Sequence, residues 1–224
     1  MKFVLSRYNH AVSWVKDYTD DVVIYDRSEA PLEGSIVVPN IGSDIYDKLT
    51  YIIDNYDNLP DVALYSKANL FDYIRPKEFE ALKDNKTFTP LFSQFHKEVM
   101  CDDKMLIAVN ATAPKPFSYY QDGMYYELNY PSFLKMHPLK NQPEFPTIEW
   151  YRSLELPRLL GIDQMEYIPF APGSGYILTR ENIRQNSIEF YKELRSFIGW
   201  KEGYSGEDMI LERGLYTIFK PRYN

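Results

Sequence analysis

Two adjacent carboxylates near the C-terminal end, Glu207 and Asp208, follow Ser205-Gly206 and lead into Met209-Ile210-Leu211-Glu212-Arg213. Acidic side chains at a helix start can serve structure alone, because the macrodipole favours anions there. The same position lowers a carboxylate's pKa and keeps it ionised, ready to accept a proton from a hydroxyl. The chemistry on offer is general-base catalysis. Arg213 lies one turn past Met209, where it can pair nearby or point at the same site.

Four further polar clusters each follow a short apolar run. They are Ser6-Arg7-Tyr8-Asn9, Asp26-Arg27-Ser28, Asn40-Ile41-Gly42, and Ser66-Lys67-Ala68-Asn69 with Asp72. In open parallel sheets, ligands bind beyond the carboxyl ends of the strands, so four such tips in register would frame a crevice. Gly42 either lets backbone N–H groups approach an anion or makes a tight turn into a helix. Asp26 can accept hydrogen bonds from a ribose or base edge, or cap its own turn with Ser28. Lys67 can neutralise a diphosphate, or be a solvated charge. Gly173 and Gly175 flank Ser174, which allows close backbone approach to a ligand or a plain turn before Tyr176-Ile177-Leu178.

The elements that must carry these residues read as a parallel sheet with crossover helices. Strands are expected at Phe3–Leu5, Val22–Tyr25, Ile36–Val38 and Val62–Tyr65. A short helix runs through Val12, Trp14 and Val15. From Ser43, a reasonable N-cap, Ile45, Leu49, Ile52, Ile53 and Tyr56 recur at helical spacing as far as Asn58-Leu59-Pro60. Pro76–Leu82 reads as helix and Met105–Val109 as strand. Residues 113–149 hold many prolines and five tyrosines (119, 120, 125, 126 and 130), and suit an ordered insertion or substrate-facing loop region. Trp150–Leu160 is helical, Tyr167–Phe170 and Gly175–Thr179 are extended, and helices follow at Arg180–Ile183, Ser187–Phe197 and about Glu207–Phe219.

At 224 residues, with 45% hydrophobic and 25% charged side chains, the chain suits one large α/β domain. Tyr 20, Phe 13 and Trp 3 give unusual aromatic content, suited to sugar or partner surfaces or to a tyrosine-rich core. A net charge of −7 without a Lys/Arg run argues against nucleic acid as a partner. The single cysteine, Cys101, excludes an intrachain disulfide and fits a reducing compartment. The opening apolar run is cut by Ser6-Arg7, too short for a signal peptide. No stretch reaches the roughly 20 apolar residues of a membrane span. A cytoplasmic location is expected. His10, His96 and His137 sit in no metal-ligand or nucleophile-partner spacing and read as surface or turn histidines.

Val4-Leu5-Ser6-Arg7-Tyr8-Asn9, Ile24-Tyr25-Asp26 and Pro39-Asn40-Ile41-Gly42 resemble the nucleotide-binding half of GT-A-type glycosyltransferases. Pro172 to Thr179 is similar to the Gly-rich segment before a strand in the acceptor half of that fold. Gly206-Glu207-Asp208 with Leu211 and Arg213 resembles the family's Glu-Asp motif with its trailing Arg. The chain looks most like the small stand-alone transferases of chlorella-type large DNA viruses, which act in glycoprotein biosynthesis. The resemblance implies a single GT-A-like domain with a mixed central sheet and flanking helices, residues 1–110 as the nucleotide-binding half and 111–224 as the acceptor half. It implies a UDP- or GDP-linked sugar donor held by Ser6, Arg7, Tyr8, Asp26, Asn40, Gly42, Lys67 and Asn69. Gly173, Ser174 and Gly175 would form a donor or acceptor loop, and a glycan or glycoprotein hydroxyl would be the acceptor. Asp208 would be the base of an inverting transfer, supported by Glu207. The family's Asp-x-Asp for Mn²⁺ or Mg²⁺ is missing. Asn69-Leu70-Phe71-Asp72 stands there instead, leaving Asp72 as a lone candidate ligand and Asp102-Asp103, ahead of a strand, as the other. Two rival functions are a non-catalytic carbohydrate- or protein-binding module and a glycoside hydrolase. The hydrolase would need carboxylates about 5–9.5 Å apart across a cleft.

Overall fold

Three consecutive apolar residues in the first strand are buried on both of its faces, and this sets the architecture. Phe3, Val4 and Leu5 are all buried, as are Ala63, Leu64, Tyr65 and Tyr176, Ile177, Leu178. Side chains alternate across a strand, so Val4, Ala63, Tyr65, Tyr176 and Leu178 enter one hydrophobic cluster while Phe3, Leu5, Leu64 and Ile177 enter another. Such strands need a layer on each side. The computed structural model describes residues 1–93, 118–129, 156–198 and 207–222.

Strands β1 (Lys2–Arg7), β2 (Val22–Asp26), β3 (Ile36–Val37) and β4 (Val62–Lys67) run parallel, with β3, β2, β1 and β4 side by side. Beyond β4, the six-stranded sheet continues through β9 (Tyr176–Thr179), antiparallel to β4, to β5 (Thr89–Pro90), antiparallel to β9. The sheet is therefore mixed. It also takes β9 from the second half of the chain and seats it between two strands of the first. A smaller antiparallel sheet holds β6 (Ser118–Gln121), β7 (Met124–Leu128) and β8 (Tyr167–Pro169).

Helix α1 (Ser43–Asp54) lays Ile45, Leu49, Ile52 and Ile53 on the first cluster, joined by α5 (Ile188–Ser196) and α6 (Glu207–Phe219) through Tyr191, Leu194, Ile210, Leu211 and Leu215. Helix α2 (Pro76–Leu82) and the 3-10 turn Ser13–Asp17 cover the opposite face with Phe79 and Val15. Short helices α3 (Leu156–Leu159) and α4 (Arg180–Arg184) complete the described α-helices.

Several expectations change. Ser43 is not the N-cap: Gly42, left-handed at φ 62, takes that position without a side-chain cap, and Ser43 is the first helical residue. The helix from Ser43 stops at Asp54, and a 3-10 turn, Tyr56–Asn58, carries the chain to Leu59-Pro60. Part of the proline-rich region is regular after all, because Asp122-Gly123, both at positive φ, close a hairpin between β6 and β7. Met105–Val109, Cys101, Asp102-Asp103, His96, His137, Tyr130, Trp150 and Ser205-Gly206 lie outside the described residues.

Candidate functional site

Parallel register brings the strand tips to one level. Ser6 pairs with Tyr25 and with Lys67, Arg7 pairs with Asp26, and Asp26 with Val37. Along β4, Lys67 has the same parity as Ala63 and Tyr65, so it projects to the sheet face covered by α1 and α6. It duly lies 3.5 Å from Asp44 of α1 and 3.5 Å from Glu212 of α6. Glu212 is one helical turn beyond Asp208. The acidic start of α6 is thereby docked over the tips of β1 and β4.

A cleft of about 500 Å³ opens at this edge. Ser6, Arg7, Tyr8, His10, Arg27, Asn40, Ser43, Asp44, Lys67, Asn69, Tyr73 and Asp208 line it. Seven of the candidate donor-binding and catalytic residues therefore meet: Ser6, Arg7, Tyr8, Asn40, Lys67, Asn69 and Asp208. Tyr8 is half exposed at 49%, while Asp208 is 8% exposed and accepts the Met209 N–H at 2.9 Å.

The remaining residues lie behind or outside that lining. Asp26 is fully buried and bound to Arg7 at 2.7 Å, the Ser28 hydroxyl at 2.6 Å and the Leu32 N–H at 3.0 Å. Those partners take the carboxylate oxygens that a ribose would need. Burial works to raise its pKa, but the Ser28, Leu32 and Arg7 hydrogen bonds outweigh burial and hold it at about 2. Gly42 is a packing position, since a Cβ there would lie 2.0 Å from Ile198 Cγ2. Gly173, at φ 77, lets the ring of Tyr73 lie against its backbone, where a Cβ would come within 2.3 Å. Gly175 packs on Leu91, and Ser174 is buried. Asp72 is exposed and accepts from Asn69 Nδ2 at 2.7 Å. Of Glu207, only its place as the first residue of α6 is described.

Asp44 is the feature that reading the sequence missed. Ser43 Oγ donates to Oδ1 at 3.1 Å, while Lys48 and Ser174 both bond Oδ2. Lys48 also donates to Ser174 Oγ at 2.8 Å. Burial opposes ionisation of Asp44, but Lys48, Lys67 and the Ser174 hydroxyl outweigh it and hold the carboxyl well below the ordinary range. For Lys67, burial is likewise outweighed, here by Asp44 and Glu212, and its pKa rises. Both are charged at neutral pH. Lys67 sits 5.4 Å from the centre of the Tyr73 ring. The i, i+4 spacing of Asp44 and Lys48 was a legible signal; their burial was not. Arg27 forms a second buried pair, with Asp47, and donates to Ile41 O at 3.1 Å. Burial pushes the Asp47 carboxyl up despite the facing Arg27. Arg213 points away from the cleft, pairing with Glu127 of β7 and stacking over Phe170 at 5.4 Å.

A divalent cation would need carboxylate oxygens here, and among the described residues the cleft offers those of Asp44 and Asp208. Both oxygens of Asp44 already face ammonium or hydroxyl donors. Lys67, 3.5 Å from Asp44, already sets a positive charge beside that carboxylate, and this opposes a second cation there. Asp72 does not line the cleft, and the described residues contain no group of three His, Cys, Asp or Glu side chains suited to a metal. Among the described residues, the cleft offers no open set of carboxylates for Mn²⁺ or Mg²⁺. No protein-family model, curated protein or solved structure matches the chain. No described helix is long and apolar enough to cross a membrane.

Proposed function

We propose that the chain is a glycosyltransferase that moves a sugar from a nucleoside-diphosphate donor to an acceptor hydroxyl with inversion, and that its fold is of the GT-A type. One observation carries the reading: strand-tip residues Ser6, Arg7, Lys67 and Asn69 share a cleft with Asp208 at the start of α6. Further support comes from the sheet, whose parallel strands end at that cleft and whose β9 runs against them. A cleft at the carboxyl edge of parallel strands suits a nucleotide.

In the reaction, the acceptor oxygen bonds to the anomeric carbon as the bond from that carbon to the diphosphate oxygen breaks. The electron pair of the broken bond leaves with the diphosphate. The hydroxyl proton passes to an Asp208 carboxylate oxygen. The walls orient donor and acceptor, and base catalysis supplies about 10²–10⁴-fold. Asp208→Asn should therefore lower turnover by about that factor while donor affinity stays near wild type. Release of nucleoside diphosphate from a panel of nucleotide sugars, with and without the variant, is the assay. Equal turnover by Asp208→Asn rules out the assigned base. Glycan binding without response to any nucleotide favours a binding module instead.

A further inference from the structure

Among the described residues, three arginine or lysine side chains line the cleft, and they are not equally committed. Arg7 gives Nη1 to Asp26 at 2.7 Å and to Ser28 Oγ at 2.6 Å, and Nε to His10 O at 2.9 Å. Arg27 is 4% exposed at its side chain and closed against Asp47 and Ile41 O. Both are tied into the strand tips by these contacts, although Arg27 Nε is buried without a partner. Lys67 differs. Its two carboxylate contacts, both at 3.5 Å, exceed the roughly 2.7–3.2 Å of a well-made N–H···O bond. Its side chain keeps 23% of its surface open, into the cleft it lines.

The surroundings fix this ammonium without consuming it. Lys48 and Ser174 already bond Asp44, so the carboxylate keeps partners if Lys67 turns toward a ligand. Glu212, 18% exposed, retains some access to water. Ser174 stands at φ 53 after Gly173 at φ 77, a left-handed pair that directs its hydroxyl onto Asp44. Neutral polar groups of Ser6, Asn40, Asn69 and Tyr73 share the wall with Lys67. They suit phosphate oxygens.

We propose that Lys67, held between Asp44 and Glu212, is the resident cation that binds the ligand's diphosphate, so that the cleft takes nucleoside diphosphates without a divalent metal. This rests on the transferase reading and adds to it the source of positive charge. It follows from the metal misfit above: the ammonium of Lys67 is a positive charge that the cleft itself offers to a diphosphate. A fixed ammonium also stabilises the leaving diphosphate with no metal to bind or release.

The test is calorimetric titration of the full chain with UDP, GDP, CDP and ADP, once in EDTA and once with saturating Mn²⁺. The expected result is binding of one or more nucleotides with the same affinity in both buffers. Lys67→Met should weaken that binding by roughly 10- to 100-fold, the worth of a charge-assisted hydrogen bond, and Lys67→Arg should restore much of it. Binding seen only with Mn²⁺ overturns the metal-free assignment and leaves the transferase reading standing. Wild-type affinity in folded Lys67→Met overturns the role of Lys67. No binding of any nucleotide in either buffer overturns the transferase reading and this inference together. If Lys67→Met does not fold, Lys67→Gln takes its place with the same expected loss, while the two wild-type titrations decide metal dependence.

Discussion

Replacing Asp26 by Asn separates two jobs that the sequence left open for this residue, ligand contact and structural post. Asp26 is fully buried, and its carboxylate ties Arg7 of β1 to the turn at Ser28 and to Leu32. Its folded pKa of about 2 lies below the ordinary 3.8. A depressed carboxylate adds stability that is fully present above the unfolded pKa and is lost as pH falls through the folded one. The difference corresponds to roughly 2–2.5 kcal/mol at neutral pH, at about 1.4 kcal/mol per tenfold change in proton affinity. Asp26→Asn should therefore be less stable than wild type by at least about 2 kcal/mol at pH 6, or about 4–8 °C in Tm for a domain of this size. The gap should narrow by about 1 kcal/mol on going to pH 3, and further below it. Urea unfolding of both proteins across that range measures it. A gap independent of pH, or a variant of unchanged stability with lost nucleotide affinity, would refute the structural assignment.

Further outcomes follow from packing. Glu127→Ala removes the counter-ion of buried Arg213 and should cost about 3–5 kcal/mol, while Glu127→Leu with Arg213→Met recovers most of it; a double-mutant cycle by chemical denaturation checks both. Gly42→Ala adds a left-handed penalty and a contact 2.0 Å from Ile198, so about 2–4 kcal/mol should be lost, read as a lower urea midpoint.

The strands of the parallel sheet were legible because their residues obey local rules. Phe3-Val4-Leu5 and Val62 to Tyr65 are apolar runs closed by polar tips, and Ser43 onward repeats at helical spacing. The Asp122-Gly123 hairpin carried a local signal too, masked by the prolines around it. Strand β5 is only Thr89-Pro90, too short for any periodicity, and is held by β9 across the chain. The cleft was legible at its rim but not in its charge network. Ser6, Lys67 and Asp208 are polar residues at element ends, which a sequence displays. Asp44 and Ser174 are 130 positions apart, and Arg213 and Glu127 are 86 apart. Such pairs come from how helices dock, and no local pattern encodes them. Asp26 and Ser174 were recognised as notable residues, yet whether they face ligand or core depends on partners supplied by distant segments.

Hydrogen–deuterium exchange of the full chain, with and without a saturating nucleoside diphosphate, tests whether the strand-tip cleft is where the ligand binds. Slower exchange confined to segments 6–10, 40–44, 67–73 and 207–212 is the predicted result. Protection elsewhere, with those four segments unchanged, would contradict it.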